Sequence, residues 1–245
     1  MMKKSNPVFD KMEKMDYVGE YSCATYKGIG VKVLLYVFIT LIGAGLGIFL
    51  LYNNPNALVG VLSISGILTL ICALLAMSMP KTSMIAGTLY CLFEGVFVGV
   101  LSLLFELAIG GVIITAILGT LSIVLVVGVM YITGLVKVGT GFTKFLLMFS
   151  IGFLVSMLLT FILSLFPAFS GIFDNIGITI LVSVISLLLA SLFLFADFRQ
   201  ATSLVESGSP KEYEWFAAFG IAYTVIWIYI EVLRIVAIIA SKADN

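Results

Sequence analysis

The chain has 245 residues, of which 62% are hydrophobic and 11% charged, and its mean hydropathy is +1.23. Soluble domains are usually about 45–50% apolar and about 25% charged, so this composition excludes a water-soluble fold and indicates a polytopic membrane protein. The formal net charge is zero, which gives no indication of a nucleic-acid partner, and the sequence contains no histidine, the commonest metal ligand and the usual proton relay near neutral pH.

The amino-terminal segment is polar and rich in lysine, and the first long apolar run begins after it. A cleavable signal would place a short apolar core of about 7–15 residues directly after a basic start, which this segment does not do. We therefore predict a cytoplasmic N-terminal arm at 1–30, a transmembrane domain at 31–240 and a tail at 241–245.

Seven segments contain the roughly 20 apolar residues that a helix needs to cross the hydrocarbon core of a bilayer. All five prolines fall outside these segments, as expected of residues that break helices. The helical pattern of the sixth segment continues through polar residues to about 206. The sequence thus predicts an all-α membrane protein with seven transmembrane helices at 31–52, 57–78, 84–106, 110–135, 144–166, 175–199 and 213–240.

Positive charges in the connecting segments are distributed unequally between the two sides of the membrane. Of the thirteen lysines and arginines, eleven lie in the arm, at the edge of the first span, or in the second-to-third, fourth-to-fifth and sixth-to-seventh connections. The other three connections have none, and Arg234 and Lys242 fall in the last span and the tail. Cytoplasmic loops carry the excess of positive charge, so we predict a cytoplasmic amino terminus and, after seven crossings, an external carboxyl terminus.

Glycines recur four residues apart in two of the predicted spans. Gly43 and Gly47 lie in the first span, and Gly95 and Gly99 lie in the third. Small residues at this spacing allow the backbones of two helices to approach closely in lipid. We interpret these four glycines as helix-packing residues.

Ionisable residues within the spans are few, and each costs about 2.5–3.5 kcal/mol at the centre of an inserted helix, so such residues usually have a partner or a function. Three acids and one base suggest shared protons or a bound cation. Glu106 and Asp174 fall at the outer ends of spans, where they are either solvated or line an entrance. The residues predicted to lie at depth are Glu94, Asp197, Glu231 and Arg234.

Each of these residues also has a purely structural interpretation. Glu231 and Arg234 are three residues apart on one helix face and can neutralise each other locally. Asp197 is followed closely by Arg199 and can simply mark the cytoplasmic edge of its span. Glu94 can be a protonated acid that is hydrogen-bonded to a neighbouring helix.

Two carboxyl groups that meet inside a low-dielectric bundle would behave differently from isolated acids. Burial and like charge both raise carboxyl pKa values, so the two groups would titrate as one coupled unit that can reach physiological pH. A shared proton would tie two helices together. Loss of that proton would make the groups repel each other or accept a hard cation such as calcium through oxygen ligands.

Several segments resemble the Bax inhibitor-1 family, and in particular its bacterial members. The resemblance spans nearly the whole chain, and its most specific part is the carboxyl-terminal block. The segments that carry it are "SNPVFD" at 5–10, "YCLFEGVFVG" at 90–99, "LFADF" at 194–198 and "SPKEYEWFAAFGIAYTVIWIYIEVLRI" at 209–235.

The resemblance implies a fold in which the last helix is central and wrapped by the other six. It also implies a pH-sensitive calcium leak gated by an acid in the sixth helix that pairs with an acid in the seventh, here Asp197 and Glu231, which can also contact calcium. Glu231 replaces the aspartate of the better-studied members. In two antiparallel helices, residues at equal depth lie equally far from the turn that joins the helices. The pairing of Asp197 with Glu231 therefore needs a turn centred near residue 214, or a helix that kinks or starts with a non-spanning segment.

On this basis we expect a calcium-conducting protein of the bacterial cell membrane that is not an enzyme and holds no cofactor other than calcium as the transported ion. Glu94 would form a further polar wall of the pathway, and Arg234 would tune Glu231. The alternative is a non-conducting regulatory membrane protein that binds other membrane proteins, such as a quality-control protease, through its arm. An intramembrane enzyme is disfavoured because the sequence lacks the motifs for one.

Overall fold

The structure, a computed structural model, describes residues 22–136, 138–164 and 176–243. Within these ranges, seven helices are long and apolar enough to cross a membrane, which confirms the predicted all-α fold with seven spans. Most of the predicted arm, Asp174 and the connection between the fifth and sixth spans lie outside the described residues. The helices are α1 Tyr26–Asn53, α2 Leu58–Ser78, α3 Ser83–Ala108, α4 Val112–Ile132, α5 Thr140–Ser164, α6 Ile176–Glu206 and α7 Tyr213–Ala243.

Capping residues and prolines set the beginnings of several helices. α1 starts at Tyr26, five residues before the predicted span, because the Thr25 side chain accepts a hydrogen bond from the Gly28 backbone N–H at 3.0 Å and caps the helix. Pro55 and Pro80 each open a short 3-10 turn ahead of the next helix, where the missing N–H of proline breaks no helical hydrogen bond.

The predicted packing glycines lie where α1 crosses α3. A Cβ atom added to Gly95 would collide with the Thr40 carbonyl oxygen and would lie 3.0 Å from the Gly43 Cα. A Cβ atom on Gly99 would lie 2.5 Å from the Ala44 Cα. The backbones of α1 and α3 therefore meet directly, as the small-residue spacing indicated.

Helix α7 contacts α1, α2, α3, α4 and α6 and buries both apolar and polar side chains along its length. This arrangement is compatible with the prediction that the last helix is central. Helix α5 differs from the others because it packs chiefly against α6 and faces α7 across a cavity.

Large apolar side chains are exposed on the outer faces of the bundle, especially on α1, α2, α4 and α5. In water such a continuous apolar surface would drive aggregation, whereas a lipid bilayer is its natural solvent. The chain is therefore an integral membrane protein.

The turn between α6 and α7 is joined to the segment that precedes α1. Gly208 has a φ of +65°, a left-handed conformation that glycine adopts readily, and it reverses the chain after α6. The Ala24 N–H donates to the Ser209 carbonyl at 2.8 Å, and the Lys211 N–H donates to the Ser22 carbonyl at 2.9 Å. The root of the N-terminal arm is thus bonded to the turn that leads into α7.

Candidate functional site

A cavity of about 610 Å³ lies between α5, α6 and α7, with Met77 at the end of α2 on its rim. One face of α7 provides the largest share of its wall, because residues spaced three or four apart along a helix point the same way. Polar groups enter the cavity at two depths, one around Asp197 and one around Glu231. The aromatic residues that line it are Phe153, Phe193, Phe216, Phe219, Tyr223 and Trp227.

Asp197 of α6 is half-buried and bonds to α7. The Thr224 hydroxyl donates to its Oδ2 at 2.5 Å. Gly220, one turn before Thr224, leaves room for the carboxyl group, since a Cβ atom there would lie 3.3 Å from the Asp197 Oδ1. Asp197 therefore bonds across the α6–α7 interface and does more than mark the edge of its span.

Glu231 of α7 is buried and bonds to α6. The Ser186 hydroxyl donates to its Oε1 at 2.8 Å, and this hydroxyl in turn accepts a hydrogen bond from the Trp227 indole N–H at 3.2 Å. Arg234 approaches the Oε2 of Glu231 to 3.3 Å and forms the local ion pair that their spacing indicated. Glu231 thus has both a hydrogen-bond donor and a counter-ion.

The predicted contact between Asp197 and Glu231 is not formed, since each carboxyl group bonds to a different partner among the described side chains. Facing residues of antiparallel helices lie equally far from the turn, and the midpoint of Asp197 and Thr224 falls in the turn at 207–212. The midpoint of Asp197 and Glu231 is residue 214, which already belongs to α7. Glu231 therefore lies seven residues beyond Thr224, or about 10 Å further along the helix axis at about 1.5 Å per residue.

Glu94 of α3 is buried and does not line the cavity between α5, α6 and α7. Its carboxyl group interacts electrostatically with the hydroxyls of Tyr90 and Tyr223, and Thr69 of α2 lies beside it. Tyr223 itself lines the cavity. Glu94 is not among the residues that line this cavity, and its assignment as a further polar wall of the pathway stays a prediction.

Glu106, considered as an entrance residue, accepts hydrogen bonds from the backbone N–H groups of Gly111 at 2.8 Å and Ile113 at 2.9 Å. These N–H groups lie at the start of α4 and would otherwise have no helical partner. Glu106 thus caps the next helix, which is a structural role.

The sequence analysis did not identify Glu214 as a buried residue, although its side chain is fully buried in the first turn of α7. Its carboxyl group forms an ion pair with Lys32 of α1 and accepts hydrogen bonds from the Thr25 N–H at 2.8 Å and hydroxyl at 3.1 Å. The Lys32 ammonium also lies 5.1 Å from the centre of the Trp215 ring, within the range of a cation–π interaction. We call Thr25, Lys32, Glu214 and Trp215 the α1–α7 clamp.

Among the described residues, no group of three or more Cys, Asp and Glu side chains is close enough to hold a metal ion. Asp197 of α6 lies opposite Thr224, which is about 10 Å from Glu231 along the axis of α7, so the two acids occupy different depths of the cavity. Calcium contact at Asp197 or Glu231 stays a prediction for an ion in transit.

Seven apolar helices with ionisable residues within the spans define a polytopic membrane protein. The chain belongs to the Bax inhibitor 1 like family, whose family model matches residues 6–241. No match was found among curated proteins or among solved structures. The family comprises membrane channels and regulators and is not known for enzymes.

Proposed function

We propose that the chain is a pH-sensitive calcium leak of the cell membrane, with the cavity between α5, α6 and α7 as part of the ion pathway. The observation that supports this proposal is the presence of Asp197 and Glu231 at two depths of one cavity within the membrane-spanning bundle. Acids inside membrane spans commonly mark ion or proton pathways. The arm faces the cytoplasm, and a bacterial cell membrane is the proposed location.

The two acids act separately, because each is bonded across the α6–α7 interface at its own depth. An ionised Asp197 attracts a cation into the cavity, and protonation removes this attraction. Arg234 partly neutralises Glu231, so Glu231 contributes less negative charge to the cavity than Asp197 does. Its main contribution is the hydrogen bond with Ser186, which holds α7 against α6. Leak should therefore increase as the pH rises through the titration of Asp197.

Calcium flux into proteoliposomes, measured across pH, tests this proposal. At an effective dielectric constant near 20, one unit charge about 4 Å from another is worth about 4 kcal/mol, so we expect Asp197→Asn to lower flux at high pH at least about tenfold. The variant should also lose the pH dependence, since asparagine cannot ionise. We expect Glu231→Gln to have a smaller effect.

The matched control is Glu206→Gln, which neutralises an exposed acid of the same helix and should leave flux unchanged. Wild-type flux and wild-type pH dependence in both Asp197→Asn and Glu231→Gln would show that these acids are not the sensor.

A second candidate function is supported by the bonds between the arm root and the turn that leads into α7. In this case the chain is a non-conducting regulator, and its arm recruits another membrane protein such as a quality-control protease. Deletion of residues 1–21 would then abolish association with that partner, while calcium flux of the intact chain would equal that of empty liposomes. Flux above background in the intact chain decides in favour of the leak.

A further inference from the structure

The cavity combines Asp197, which has no basic partner among the described residues, with walls that include six aromatic side chains. We infer that it binds an amphipathic organic ammonium ion, whose cationic head lies at Asp197 and whose apolar body lies against the aromatic side chains of α7. This inference goes beyond a calcium leak and rests only on the lining of the cavity, so it holds whether or not the chain conducts.

The first argument is charge. In the described part of the chain no lysine or arginine forms an ion pair with Asp197, which accepts a hydrogen bond from the neutral hydroxyl of Thr224. Glu231, the other acid in the cavity, already has Arg234. Buried charges are normally paired, so the Asp197 end of the cavity is complementary to a cation that comes from outside the protein.

The second argument is the chemistry of the walls near Asp197. Phe216 and Phe219 precede Gly220 on the cavity face of α7, and Tyr223 follows about one turn after Gly220. A resident calcium ion would need six to eight oxygen ligands, and few side-chain oxygens reach this end of the cavity. Aromatic faces, in contrast, attract organic cations and accommodate their apolar parts.

The third argument is size and orientation. A volume of about 610 Å³ is typical of pockets that enclose a drug-sized ligand. Arg234 lies ten residues beyond Thr224, about 15 Å further along α7, and repels a positive head from that end. The apolar body must therefore extend from Asp197 towards Trp227, which lies between the two ends.

Equilibrium binding of tritiated phenylpropylammonium to the full chain in lipid nanodiscs tests this inference. Phenylpropanol, which has the same shape without the charge, is the matched ligand control. We expect Asp197→Asn to weaken ammonium binding at least about tenfold through loss of the carboxylate charge, and Glu206→Gln to leave it unchanged. The alcohol should bind more weakly to the wild type and show no difference between the two variants.

Phe216→Leu is a second variant that keeps an apolar side chain but removes an aromatic face, and we expect it to weaken ammonium binding about threefold. Equal affinity of the ammonium ion for wild type and Asp197→Asn would overturn the inference, as would equal affinity of the ammonium ion and the alcohol for the wild type. Calcium flux measured after the same purified protein is reconstituted into proteoliposomes separates the two proposals. Binding without flux contradicts the leak, whereas flux without binding contradicts the ammonium site.

Discussion

Replacing Glu214 with glutamine is expected to lower the free energy of unfolding by about 3 kcal/mol, because breaking one partner of a buried ion pair leaves the other charge without compensation. The expected value is at the lower end of the usual range of about 3–5 kcal/mol, since the Lys32 side chain keeps 13% of its surface exposed. Unfolding by titration with sodium dodecyl sulfate in mixed micelles measures this difference. Lys32→Met should have a similar effect, because it leaves the fully buried Glu214 carboxyl without its counter-ion.

Two exposed residues provide matched controls for the α1–α7 clamp. Lys27→Met removes a lysine five residues earlier in α1, and Glu212→Gln neutralises an acid just before α7. Both residues are exposed, so we expect little change in stability. The double variant Lys32→Met with Glu214→Gln should lose less than the sum of the two single variants, since neither charge remains unpaired. Additive losses would show that the ion pair does not couple α1 to α7.

The number and placement of the helices could be predicted from the sequence because each is governed by a local rule. A span needs a long apolar run, and Pro55 and Pro80 mark where such runs must end. Gly43 and Gly95 were likewise identifiable, since the spacing of small residues within one helix shows which face can approach another helix. These features require no knowledge of how distant segments meet.

The partners of Asp197 and Glu231 could not be predicted because they depend on the register between α6 and α7. That register is set by where the turn lies, and the left-handed Gly208 reverses the chain soon after α6 ends at Glu206. The family resemblance suggested an acid pair, but the turn is centred too early in the chain for Asp197 to reach Glu231. Thr224 and Ser186, which are neutral residues with no pattern of their own, take the positions opposite the two acids.

The clamp was missed for a different reason. Glu214 lies at the edge of the last predicted span, where a charge is normally solvated, and its partner Lys32 is 182 residues away. A signal was nevertheless present, since the predicted topology places the start of the first span and the start of the seventh on the same side of the membrane. Opposite charges in the first turns of two helices that begin side by side are candidates for an ion pair.

The clamp and the cavity lie on the same helix, and this links the arm to the proposed pathway. The first turn of α7 holds Glu214, and the cavity begins at Phe216, two residues later. A change in the position of the arm root would therefore act on the end of α7 that carries the wall around Asp197. Glu214→Gln provides a test of this link in the flux assay, since it alters the clamp without removing a residue that lines the cavity.

Substituting Gly95 with alanine is expected to destabilise the bundle by about 1–3 kcal/mol, as is usual when an extra carbon is forced into a packed contact. The added Cβ would collide with the backbone of α1 at the Thr40 carbonyl, and a backbone atom cannot rotate away as a flexible side chain can. Titration with sodium dodecyl sulfate measures the loss, and the larger substitution Gly95→Leu should prevent the native crossing of α1 and α3.

Gly45→Ala is the matched control, because the same substitution in α1 places its Cβ atom where no neighbouring atom lies within 4 Å. Alanine favours a helix over glycine by up to about 1 kcal/mol, so this variant should be as stable as the wild type or slightly more stable. Both variants replace a helical glycine with alanine, so the difference between their stabilities measures the effect of the close crossing and not of helix propensity. Equal stability of Gly95→Ala and Gly45→Ala would show that α1 and α3 do not meet backbone to backbone at this point.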